Sequence, residues 1–162
     1  MDILEFAMDK EKEAETLYRE LARKAPHEGF RNILLSLADQ EAQHHDLVKA
    51  LRASDPAGPP PQSNILLDAT SMFQSMAQEV VEFNFGQDEI ALYETARDLE
   101  EKERDMYLDK ARVAATEHER QLLLRLADEE DRHRRLLDNV VDFLGRPRQW
   151  LENAEWTHLE PY

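Results

Sequence analysis

Cysteine is absent from the 162-residue chain. Disulfides, Cys-ligated zinc, iron–sulfur clusters and thiol catalysis are therefore excluded within it, and a reducing compartment fits. Glycine is scarce, with four residues. Gly29, Gly58 and Gly145 punctuate the ends of long segments, and Gly86 lies in a fourth break. Positive charge is also short: 20 Lys+Arg face 35 Asp+Glu, a formal net charge of −15. Phosphate contacts need a basic footprint, so the balance argues against a bare nucleic-acid binder and against docking on an anionic membrane surface. No apolar run approaches the roughly 20 residues that span a bilayer. The first residues, MDILEFAMDKEKEAE, are acidic from the second position and lack the basic start of a signal peptide. The expectation is a soluble cytoplasmic protein with no nucleic-acid or membrane partner. Its length suits one domain with a sizeable core.

What the chain does have is helix formers in long runs, with little period-2 alternation. The pattern predicts helices over about 2–25, 28–53, 88–115 and 116–145. Pro26 ends the first, Asp88 is an N-cap candidate for the third, and Thr116 with Glu119 forms a capping box for the fourth. The segment SDPAGPPPQSN, residues 54–64, is the clearest loop, and a shorter helical stretch is expected over 65–85. There Met72, Phe73, Met76, Val80 and Phe83 form a stripe suited to packing or a dimer contact.

Each long helix carries one seam with alternating spacings of three and four, the pattern of helices packed in a bundle. The first is Leu4, Ala7, Glu11, Ala14, Tyr18, Leu21, Ala25, and the second Phe30, Leu34, Leu37, Glu41, His44, Val48, Leu51. The third, Tyr93, Ala96, Glu100, Glu103, Tyr107, Lys110, Ala114, is the most polar. The fourth is Leu123, Leu126, Glu130, His133, Leu137, Val140, Leu144.

A shift of 89 residues exposes an internal repeat. It superposes Glu11 on Glu100, Tyr18 on Tyr107, Glu41 on Glu130 and His44 on His133. The expected fold is all-α: a four-helix bundle of two repeated hairpins. It would occupy residues 1–146, with a long, partly helical crossover at 54–87 and a tail, 147–162, packed on the bundle.

Glu at i and His at i+3 share one helix face, one turn apart, and can bind the same metal site. That pair on two helices, with one inward Glu from each of the others, is the dinuclear iron or manganese carboxylate constellation. The candidates are Glu11, Glu41, His44, Glu100, Glu130 and His133. Four carboxylates balance two divalent cations, whereas unpaired charge in an apolar seam is costly. With 21 Glu and 6 His, chance alone would produce about one Glu-x-x-His. The third match, Glu155 to His158, has no repeat partner or seam and is read as coincidence. Tyr18 and Tyr107 are placed to donate hydrogen bonds to ligand carboxylates or to pack in the core. Glu13, Glu15, Glu20, Glu101 and Glu129 lie beside the seams and are read as solvent-facing, His45 as a surface residue, and His27 and His118 as boundary residues.

At these residues, over about 4–144, the chain resembles the rubrerythrin branch of the ferritin-like superfamily. Glu11 with Tyr18, Glu41-Ala-Gln-His44, Glu100 with Tyr107, and Glu130-Asp-Arg-His133 carry the likeness. The resemblance implies a four-helix bundle, a non-haem centre of two iron ions, peroxide reduction or ferrous oxidation, and a homodimer. It also implies a further ligand one turn beyond the third-helix Glu. Glu103 occupies that place, where the repeat has Ala14, and by the family pattern it exchanges with His44 as the redox state changes. A complete rubrerythrin carries a rubredoxin domain with four cysteine ligands, which this chain lacks. The expected function is therefore reduction of hydrogen peroxide with electrons from an external donor protein. The alternatives are a ferroxidase or iron-storage role with dioxygen or peroxide, and a structural or regulatory bundle. The same donors accept manganese and zinc.

Overall fold

A computed structural model of the chain describes residues 3–25, 27–53 and 87–145. These form four helices: α1 (Ile3–Lys24), α2 (Glu28–Arg52), α3 (Gln87–Arg112) and α4 (Glu117–Gly145). The crossover, the tail, the 72–83 stripe and the Glu155/His158 motif lie outside the described residues.

The ends follow local chemistry. α1 has Glu5 in its first turn and Arg23 and Lys24 in its last, each complementing the helix dipole. It stops ahead of Pro26, whose missing N–H cannot extend the ladder. α2 starts from His27 in extended conformation, without a side-chain cap, and Gly29 falls inside it rather than marking a boundary. α3 begins at Gln87, so Asp88 lies in its first turn and not at its N-cap. α4 has the expected cap: the Glu119 N–H donates to Thr116 Oγ1 at 3.1 Å. The Glu119 carboxylate in return accepts from the Ala115 N–H at 2.8 Å. Caps of this kind are worth about 1 kcal/mol.

α1 packs along α2 and α3 along α4, each helix pair joined by only a few residues of chain. The seams face inward, and their apolar residues fall into two clusters. One is built on Phe30, Leu34, Leu37, Tyr18, Leu137 and Phe143, with the Phe30 and Phe143 rings 5.7 Å apart, edge to face. The other gathers Ala7, Val48, Tyr107, Leu122, Leu123 and Leu126. A fully buried Leu or Phe contributes about 1.5–3 kcal/mol, so both clusters are substantial. Between them lies one polar layer, because every helix interrupts its apolar seam at the same height. Glu11 falls between Ala7 and Ala14, and Glu41 with His44 between Ala38 and Val48. Glu100 with Glu103 falls between Ala96 and Tyr107, and Glu130 with His133 between Ala127 and Leu136. At the far end of α3 the heptad reading slips: Ala111 is buried, while Lys110 is only partly so. No described helix is long and apolar enough to cross a membrane.

Candidate metal centre

All six residues of the repeat motif converge on this layer, and all are buried. Their ligand atoms form two groups, each within 4.8 Å: Glu11, Glu41, His44 and Glu130; and Glu41, Glu100, Glu130 and His133. Glu41 and Glu130 belong to both. His44 Nδ1 lies 3.4 Å from Glu11, 3.6 Å from Glu41 and 3.0 Å from Glu130. His133 Nδ1 lies 2.8 Å from Glu41, 3.5 Å from Glu100 and 3.2 Å from Glu130. The imidazoles stack with centroids 5.5 Å apart.

The two tyrosines join the hairpins. Tyr18 of α1 donates its hydroxyl to Glu100 Oε1 of α3, and Tyr107 of α3 donates to Glu11 Oε1 of α1. Each of these glutamates keeps its second oxygen for the interior. Helix identity alone could not show that each tyrosine serves the opposite hairpin.

The donor set fits metal. Both oxygens of Glu41 and Glu130, Oε2 of Glu11 and Glu100, and Nδ1 of both histidines are buried without a hydrogen-bond partner. They approach one another closely yet lack hydrogen-bond alignment, as expected of lone pairs converging on shared cations. Unpaired buried polar atoms in such number are costly, and coordination would satisfy them. Glu103 is also buried with both oxygens unpartnered, but it stands outside both groups.

Without metal the layer must hold protons. Burial and Glu130 push the Glu11 carboxyl well above its ordinary range, burial and Glu41 do so for Glu100, and burial and Glu100 for Glu103. Burial also pushes Glu41 up, but the neighbouring His133 and His44 outweigh it and hold Glu41 low. For Glu130, burial and Glu41 push up, and His44 and His133 prevail. Burial lowers both imidazoles, yet the carboxylates facing them raise both well above 6.5. Groups with raised folded-state pKa contribute stability that is complete below the unfolded value and lost as pH rises through the folded one. The metal-free protein should thus lose stability as pH rises above about 4.5 for the three glutamates, and again above 6.5 for the histidines. Glu41 and Glu130 act oppositely, and only on the acid side of 4.5. Metal needs deprotonated ligands, so its stabilisation should grow over the same rise. Melting curves of both forms from pH 5.5 to 8 check this: the gap between them should widen with pH.

Two residues depart from the sequence reading. Glu129, expected at the surface, is buried under Arg132 at 2.9 Å and Arg125 at 3.5 Å, whose side chains fold over it. Gln40 lies off the α2 seam, yet its Oε1 lies 2.9 Å from His133 Nε2. Gln40 and Glu129 superpose under the repeat shift, a signal that could have drawn both out. His45 is partly exposed beside Asp46 at 3.1 Å, and Glu13, Glu20, Glu101 and His118 are exposed, as expected; Glu15 is partly covered.

Residues 2–57 match the family model for rubrerythrin. No curated protein matches the chain. Among solved structures, a hypothetical protein from Pyrococcus furiosus superposes with a TM-score of 0.66 at 24% identity, covering 88% of each chain. At that identity the likeness speaks for the fold. The rubrerythrin match spans α1 and α2, and the Glu and Glu-x-x-His pattern within it recurs on α3 and α4.

Proposed function

We propose that the chain is a non-haem di-iron protein that reduces hydrogen peroxide to water with electrons from an external donor protein. The observation that carries this reading is the sharing of Glu41 and Glu130 between two ligand groups, each with its own histidine and outer glutamate. Glu41 and Glu130 would bridge, Glu11 with His44 would complete one metal position, and Glu100 with His133 the other. When bound, a pair of ferrous ions supplies the two electrons that peroxide reduction consumes.

The protein's part is placement and charge. Overall, peroxide with two electrons and two protons becomes two waters, so the layer must tolerate charge change without water flooding in. The apolar clusters on both sides exclude water. Tyr18 and Tyr107 hold Glu100 and Glu11 by their outer oxygens. Burial and the adjacent Glu100 raise the Tyr18 hydroxyl pKa well above its usual range, and burial and Glu11 do the same for Tyr107. Both therefore keep their protons and act as fixed donors that steady the carboxylates. The 162 residues contain no cysteine for a redox relay, which suits the external donor of this reading.

Glu103 is the reserve carboxylate. It is buried beside the six-residue set and unpartnered, and it breaks the repeat symmetry where the first hairpin has Ala14. Four carboxylates already balance two ferrous ions, so a fifth has its use after oxidation. Glu103→Ala should load ferrous iron almost normally but consume peroxide slowly or incompletely. Unchanged turnover would make Glu103 another acidic residue in a polar seam.

The function is tested by loading the reduced protein anaerobically and titrating peroxide. One peroxide should be consumed per pair of ferrous ions, and a reductant should restore the starting state. Iron accumulating far beyond a pair per chain would instead mark storage. No peroxide consumption would overturn the reading.

A further inference from the structure

The repeat copies the contacts of the site from one hairpin to the other. Tyr18 to Glu100 maps onto Tyr107 to Glu11. Glu41 to His133 Nδ1 at 2.8 Å maps onto Glu130 to His44 Nδ1 at 3.0 Å. One contact is not copied. Gln40 lies 2.9 Å from His133 Nε2, and the pair it maps onto is Glu129 and His44. Glu129 is turned to Arg132 and Arg125 instead, and every ion-pair contact of His44 among the described residues runs through Nδ1.

The cause is readable in the sequence. Arg125 and Arg132 superpose on Ser36 and Gln43, so the first hairpin has no cation at these positions to draw Gln40 away from its histidine. The chemistry on the His133 side is also determined. With Nδ1 given to a cation, the remaining proton of a neutral imidazole sits on Nε2, so Nε2 must donate and Gln40 must present its oxygen. A ring held this way has its ligand nitrogen fixed in tautomer and direction.

We propose that Gln40 is a positioning residue that fixes His133 for metal, that His44 lacks an equivalent because two arginines hold Glu129, and that the two metal positions are consequently unequal, with the His133 position filling first and more tightly. This rests on the two-metal reading above.

The test uses zinc. Zn²⁺ titrated against a competing chelator into the full chain should bind in two unequal steps. Gln40→Leu should weaken the tighter step by about 10–100-fold, the usual cost of losing such a support, and leave the weaker one in place. Gln40→Glu, which restores an acceptor, should recover the tight step. In the zinc-loaded wild-type protein, nitrogen-edited NMR should show a slowly exchanging Nε2 proton on His133 and a fast-exchanging one on His44. That measurement stands even if Gln40→Leu folds poorly. Equal protection of both protons, or two steps that Gln40→Leu leaves unchanged, would overturn the inference while the two-metal reading survives. A wild-type chain that takes up no zinc, iron or manganese would overturn both.

Discussion

Glu130→Ala should leave a folded helical protein that binds neither metal. Glu130 faces His44 at 3.0 Å and His133 at 3.2 Å, so both ligand groups lose a member at once. Glu41→Ala should behave alike, since Glu41 too stands in both groups. The loss should exceed the roughly 10–100-fold that removal of a supporting residue costs. Glu11→Ala and Glu100→Ala should be milder, because each residue belongs to one group, and one metal position should survive in each variant. Glu155→Ala, in the unpaired tail motif, should leave metal content unchanged. Metal analysis of the five variants after equal loading checks this. Loss in none would sink the site, and equal loss in all would sink the distinction between shared and single ligands and restore Glu155 as a candidate.

Stripping the metals at neutral pH should lower the melting temperature by about 10 °C. Metal bound to the folded bundle stabilises it by mass action, about 4 kcal/mol at a thousandfold excess over Kd. A chain of this size shifts by roughly 2–4 °C per kcal/mol. Removal also returns the unpartnered oxygens of Glu41 and Glu130 to a buried, uncompensated state. Helical content should persist to the transition, because the apolar clusters around Phe30 and Leu123 do not depend on metal. If stripped and loaded forms melt together, the seam glutamates do not share a metal.

The helices were legible because each obeys a spacing that one face of a helix imposes. Glu11, Glu41, Glu100 and Glu130 were legible for a different reason: they interrupt apolar seams, and they do so twice at a fixed separation. What escaped was set by neighbours. A heptad position predicts which way a side chain leaves its own helix, not what lies over it. Glu129 sits beside the α4 seam, and two arginines from its own helix cover it. Gln40 sits beside the α2 seam, and its significance comes from a histidine 93 residues away. The reach of Tyr18 to Glu100 and of Tyr107 to Glu11 likewise depends on how the hairpins face each other. Asp88 failed as a cap because α3 begins one residue earlier, a boundary that local propensity resolves poorly.

The proposed dinuclear centre draws on six buried residues from four helices. Electron paramagnetic resonance of the manganese-loaded chain probes it, because two Mn²⁺ ions sharing Glu41 and Glu130 would be magnetically coupled. Uptake of a pair of ions per chain is expected, with the broadened, closely spaced multiline spectrum of a coupled pair, lost in Glu130→Ala. The isolated six-line signal of separate Mn²⁺ ions at full loading would contradict it.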